Sequence, residues 1–85
     1  MVEKKLVGKI IHFYPKIDVA VVELEDTLNV GDKISIEKGE EIFEQVVESM
    51  QIEHENIQQA EAGQAIGLRV TEKAKEGSQV FKLIE

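Results

Sequence analysis

Two imidazoles, His12 and His54, are the side chains of this chain best suited to move a proton near neutral pH. Nucleophilic catalysis would need one of them beside a serine or threonine hydroxyl. Those hydroxyls belong to Thr27, Ser35, Ser49, Thr71 and Ser78. None lies in a Gly-x-Ser-x-Gly elbow, so a triad would have to arise from folding alone. Metal binding has one candidate run, Glu53-His54-Glu55. In a strand Glu53 and Glu55 converge while His54 turns to the opposite face. In a helix none of the three shares a face. Solvated loop charges account for the run better than a metal site does. His12 alternates with Ile10 and Gly8, which suits a hydrogen-bonded residue at the end of a barrel. The only Gly-Lys pair, Gly8-Lys9, precedes Ile10 where a phosphate-binding loop needs Ser or Thr. No dinucleotide fingerprint occurs, and 17 carboxylates spread along the chain single out no acid–base pair. The expectation is a protein that is not an enzyme, with no catalytic residue, no metal ligand and no cofactor.

Strands must position these residues. Lys5 to Tyr14 is rich in β-branched side chains and ends at Pro15, the only proline. Ile17 to Leu24 is a second strand signal, and the residues around Pro15 and Lys16 fit a hairpin turn, where proline costs no ladder bond. A turn cluster follows at Glu25, Asp26, Asn29, Gly31 and Asp32. Lys33 to Glu37 alternates strictly and predicts a half-buried strand, with Lys38-Gly39-Glu40 as the next turn. Ala65 to Val70 and Gln79 to Ile84 read as strands separated by a turn at Lys75-Glu76-Gly77. Glu40 to Gln59 supports two readings. Ile42, Phe43, Val46, Val47, Met50, His54 and Ile57 have helical spacing, yet Val46-Val47 and Met50-Gln51-Ile52 suit a bulged strand. Strands at this spacing predict a small barrel or sandwich.

The 85 residues fit a single domain spanning 1–85. Without cysteine the chain has no disulfide and no thiolate chemistry. No apolar run is long enough for a membrane helix, and the opening residues, MVEKKLVGK, lack a signal-peptide core, so a cytoplasmic protein with no membrane partner is expected. Ten basic against 17 acidic residues give a net charge of −7, which disfavours strong non-specific binding to duplex nucleic acid. The charges are uneven. Seven glutamates lie between Glu37 and Glu55 with one basic residue, Lys38, among them. If the first and last strands are neighbours, lysines from both ends would form a basic face. The plainer reading is that charges cover every solvent face.

Punctuation carries more information than any one polar residue. Val7-Gly8-Lys9-Ile10 opens a strand; Val30-Gly31-Asp32-Lys33-Ile34 makes a Gly-Asp turn; Val47-Glu48-Ser49-Met50-Gln51 follows. Then come Ala60-x-x-Gly63-x-x-Ile66-Gly67-Leu68 and Glu76-Gly77-Ser78-Gln79-Val80. From Leu6 to Leu83 this order resembles the second domain of translational GTPases, the β-barrel that follows the G domain in elongation factor Tu. It is most similar to stand-alone translation elongation factor-like proteins. A similar barrel is appended to the C-terminus of collagenase-like peptidases, a family linked to RNA modification. The resemblance implies an all-β fold, a small closed antiparallel β-barrel of about six strands of the translation-factor domain II type. It also favours a strand for roughly Glu44 to Ile52, with a short helical turn around Asn56 to Glu61 as the alternative. Gly67 within a strand predicts a bulge or a close backbone approach. Neither a G domain nor a third barrel lies in these residues, so GTP binding is not carried over. Ser78 stands where the second Gly-Asp turn would carry Asp, and caps it more weakly.

The main functional expectation is a non-catalytic, elongation factor-like barrel that binds translation-related RNA, such as a tRNA acceptor end or ribosomal RNA. Lys4, Lys5, Lys9, Arg69, Lys73 and Lys75 would contact phosphates. At −7 overall, affinity would be modest and steeply salt-dependent. The alternative is a protein-interaction barrel that docks on a ribosomal protein, or an accessory module for a collagenase-like peptidase or RNA-modification enzyme. Outward-facing Phe13, Tyr14, Val19 and Val21 would then form the sticky surface. A barrel that merely self-associates is the third reading.

Overall fold

The computed structural model describes residues 3–84. Met1 and Val2, which open the N-terminal stretch read above, lie outside them. Ten strands run along the described chain: β1 (Glu3–Tyr14), β2 (Val19–Leu24), β3 (Leu28–Asn29), β4 (Lys33–Lys38), β5 (Glu41–Val46), β6 (Met50–Ile52), β7 (Glu55–Ile57), β8 (Gln59–Ala60), β9 (Ala65–Arg69) and β10 (Gln79–Ile84). Eight form one antiparallel sheet in the order β5-β4-β10-β1-β2-β9-β6-β7, and β3 pairs with β8 in a small second sheet. No helix occurs among the described residues, so the contested stretch is strands and the helical alternative is corrected.

The all-β expectation holds, but the sheet is not a closed barrel of about six strands. Its edges are β5 and β7, and no ladder joins them. It is nevertheless strongly rolled. Five strand spacings separate β5 from β9, about 24 Å in a flat sheet at ~4.8 Å each. Yet Gln45 Nε2 in β5 donates to the Arg69 carbonyl at the end of β9 at 2.9 Å. The Thr71 N–H donates to Gln45 Oε1 at 2.8 Å. A side chain therefore spans the gap that backbone pairing leaves. Two bulges in β1 help the roll, one between Leu6 and Gly8 against β10 and one between Ile10 and His12 against β2. Such insertions bend a strand and increase its twist.

The inner face is the core. Val7, Ile10, Ala20, Val22, Ile34, Ile36, Ile66, Leu68 and Val80 are buried there, together with Val47 and Met50. Alternation explains the choice: Ala20, Val22 and Leu24 point inward from β2 while Val19, Val21 and Glu23 point out. Two glycines serve the turns and the packing. Gly31, at φ +97°, allows a turn in which Asp32 Oδ2 accepts the Asn29 N–H at 2.9 Å. Gly8 sits where a Cβ would lie 2.8 Å from the Glu23 carbonyl oxygen. Ser78 caps the later turn differently from an aspartate: its hydroxyl donates to the Lys75 carbonyl at 2.6 Å. The described residues contain no helix long and apolar enough to cross a membrane.

Candidate functional site

The outward face of β1, β2, β9 and β6 is set by register. Tyr14 pairs with Val19 and Val19 with Arg69; His12 pairs with Val21, Val21 with Gly67, and Gly67 with Gln51. These residues share the outer face because successive side chains alternate across a strand. The β1–β2 turn brings Ile17 beside Tyr14, and the β6–β7 turn brings Glu53 and His54 to the other side of Gly67. Tyr14, Ile17, Val19, Val21, Gln51, Glu53, His54 and Gly67 line a groove of about 430 Å³; His12 and Arg69 stand outside it. Ile17 is 61% exposed and Tyr14 47%, large values for apolar and aromatic side chains.

Gly67 is not a bulge. β9 keeps its register through it, against both Val21 and Gln51. Nor is it a close backbone approach: a Cβ there would lie at an ordinary 3.8 Å from the Gln51 carbonyl oxygen, and its tight contact, 3.3 Å, would be with the Val19 side chain at Cγ1. The two turns beside the groove hold all the described non-glycine residues with left-handed φ, namely Asp18 (+53°), Glu53 (+50°) and His54 (+67°). Asp and His tolerate that region better than Glu does. Tyr14, Val19 and Val21 line the groove as the protein-interaction reading placed them. Phe13 does not, because it packs against the core. The sequence marks Ile17 only as the start of a strand, Gln51 only as strand, and Glu53 and His54 only as a metal candidate, so none is expected at this groove. Only Gly67, an unexplained glycine in a strand, hinted at the place.

The basic residues proposed for RNA are interleaved with acids. Lys4 Nζ lies 2.9 Å from Glu37 Oε2, Lys5 Nζ 2.6 Å from Asp26 Oδ2, and Lys75 Nζ 2.8 Å from Glu41 Oε1. Lys9, Arg69 and Lys73 have no carboxylate partner among the described residues, but they stand apart. Lys9 is opposite Gln79 and Glu23, Arg69 ends β9, and Lys73 lies near Glu40 and Glu41. β1 and β10 are indeed neighbours; Lys4 and Lys5 of β1 and Lys82 of β10 each meet a carboxylate, while Lys9 meets none among the described residues. The Lys4 ammonium, helped by the Ser35 hydroxyl, holds the Glu37 carboxyl below its ordinary value of 4.5, against a smaller opposing effect of burial. Lys5 and the Thr27 N–H do the same for Asp26.

The histidines stand in different surroundings. His12 Nδ1 lies 2.9 Å from Glu76 Oε2, both half exposed, and its ring meets Tyr14 edge-on at 4.4 Å. His54 and Glu53 form the tip of the β6–β7 turn, whereas Glu55 begins β7, so the Glu-His-Glu run does not lie on one strand. No group of three metal-capable side chains occurs among the described residues.

No family model matches the chain. It is 38% identical over 80 residues to an uncharacterized protease of Methanocaldococcus jannaschii, a match that covers 93% of this chain and 20% of that protein. The chain thus spans about a fifth of the length of its curated relative. Its fold is that of the C-terminal domain of a protein designated a U32 peptidase from Geobacillus thermoleovorans. The TM-score is 0.85 at 21% identity, covering 92% of this chain and 91% of that one. The selenomethionine variant of the same domain gives 0.84 at 20% identity, covering 89% and 96%. These matches overturn the resemblance to elongation factor domain II and the translation role built on it. The motifs behind that resemblance are turn and strand punctuation, such as the Asp32 cap of Asn29, which serves any small rolled β-sheet.

Proposed function

We propose that this chain is a non-catalytic accessory module that packs against a peptidase body of the U32, collagenase-like type. The carrying observation is the shape of the match to the M. jannaschii protease: nearly all of this chain against one fifth of a much longer protein. A module of that kind contributes a surface, and the outer face of β1, β2, β9 and β6 offers an apolar one. Loops held by a rigid scaffold are the usual places for such contacts, and the β1–β2 and β6–β7 turns flank this face. The catalytic chemistry belongs, in this reading, to the other four fifths.

A segment exchange tests the proposal. The relative's own matching segment is deleted in one version and replaced by this chain in another. The deleted version should lose several degrees of melting temperature, and the exchanged version should recover most of it in one cooperative transition. Two independent transitions in the exchanged version, with the body melting as it does after deletion, would overturn the docking role.

A further inference from the structure

The groove over Gly67 has the chemistry of a socket. Gly67 is inside a regular ladder, does not turn the chain, and weakens the strand that carries it. What the missing side chain provides is space, bounded by Val19, Val21, Tyr14 and Ile17. The flanking turns hold Asp18, Glu53 and His54 in left-handed backbone conformations, which cost stability and recur at ligand clamps. Glu53 is the only carboxylate among the lining residues. It has no ionic partner among the described residues, as is also true of Asp18 in the other flanking turn. Arg69, the register neighbour of Val19, stands outside the lining.

From this we infer that the groove receives a polypeptide segment of the partner body, with one apolar side chain over Gly67 and a lysine or arginine beside it facing Glu53. The inference rests on the docking role proposed above and names the occupant. Charge complementarity selects it: an apolar anchor flanked by carboxylates would place like charge against Glu53 with no counter-ion, and a small uncharged molecule would leave Glu53 unused.

Blocked pentapeptides provide the probes: Gly-Lys-Leu-Lys-Gly, Gly-Glu-Leu-Glu-Gly and Gly-Lys-Ser-Lys-Gly, each titrated into the 85-residue chain and followed by amide proton–nitrogen NMR. The first should shift the signals of Val19, Val21, Gly67, Gln51 and His54 at least five-fold more, at equal concentration, than either control. Glu53→Gln should reduce binding about three-fold, and Gly67→Ala, a milder filling than Gly67→Val, should reduce it more. Equal shifts with the acidic peptide, or shifts outside the groove, overturn the inference. Concentration-dependent self-association abolished by Gly67→Ala would assign the groove to a second copy and also overturn it. The outcome is separate from the segment exchange: peptide binding can fail while the exchanged protein melts as one unit, and the reverse.

Discussion

Two single positions show how local geometry sets stability. Gly8 lies beside the first bulge of β1, and a Cβ there would meet the Glu23 carbonyl oxygen and Val22 Cγ1, both at 2.8 Å. One obstacle is backbone and cannot rotate away. Gly8→Ala should therefore destabilise by about 2 kcal/mol, the usual scale for overpacking, read as a lowered urea midpoint with unchanged slope. Glu37 makes a second argument. Lys4 and Ser35 both bond its carboxylate, and its pKa is depressed. A depressed folded value means the stability is present above the ordinary value of 4.5 and is lost as pH falls through the folded one. Urea midpoints should fall between about pH 6 and about pH 3, and fall less in Glu37→Gln. Asp26, depressed by Lys5, keeps part of the slope in that variant. An unchanged slope would mean the Lys4–Glu37 pair does not favour the folded state.

At the level of elements, alternation made β2 and β9 legible, because each buries one face more deeply than the other, whereas in β4 Ser35 is buried between Ile34 and Ile36. Ile34 and Ile36 face in from β4, and the pattern fixes the register. The Glu40 to Gln59 stretch supported two readings by pattern alone for a definite reason. Phe43, Val47 and Met50 meet the core at helical spacing because the three residues Val47 to Ser49 interrupt two short strands and shift the phase between them. The groove was half legible: Tyr14, Val19 and Val21 follow from local alternation, but Glu53 and His54 reach it only because β6 pairs with β9, a non-local fact. The roll of the sheet was equally hidden, since it is bridged by Gln45, a polar residue of β5 that is only 8% exposed and reaches β9 across the sequence. Replacing Gln45 with Leu would leave the Arg69 carbonyl and Thr71 N–H without their partners. The expected loss is about 2 kcal/mol, with amide exchange at Thr71 accelerated before exchange in β1 and β2. Uniform acceleration would instead show that the β5–β9 contact opens only with the whole fold.

For the whole molecule, the decisive contact joins the two ends of the chain. Glu3 is in register with Ile84, and β10 stands between β1 and β4 in the sheet order. Without β10 the β4–β5 pair has no ladder to the rest of the large sheet. Val80, fully buried and in register with Ile36, would leave a hole in the core. An 85-residue chain has little core to spare, since net stability at this size is a small remainder of large opposing terms. A chain ending at Ser78 should therefore lose its dispersed amide spectrum entirely, not only the signals near β10. The same geometry predicts rescue. A peptide of residues 79–84 would find two strand edges, β1 and β4, already specified by sequence, and should restore dispersion when added at millimolar concentration, the range an intramolecular strand supplies through its connection. Restoration by a scrambled peptide of equal composition would show that general apolar association suffices. Retention of a folded spectrum by the shortened chain would show that the small sheet and β1–β2–β9 hold the core without the terminal ladder.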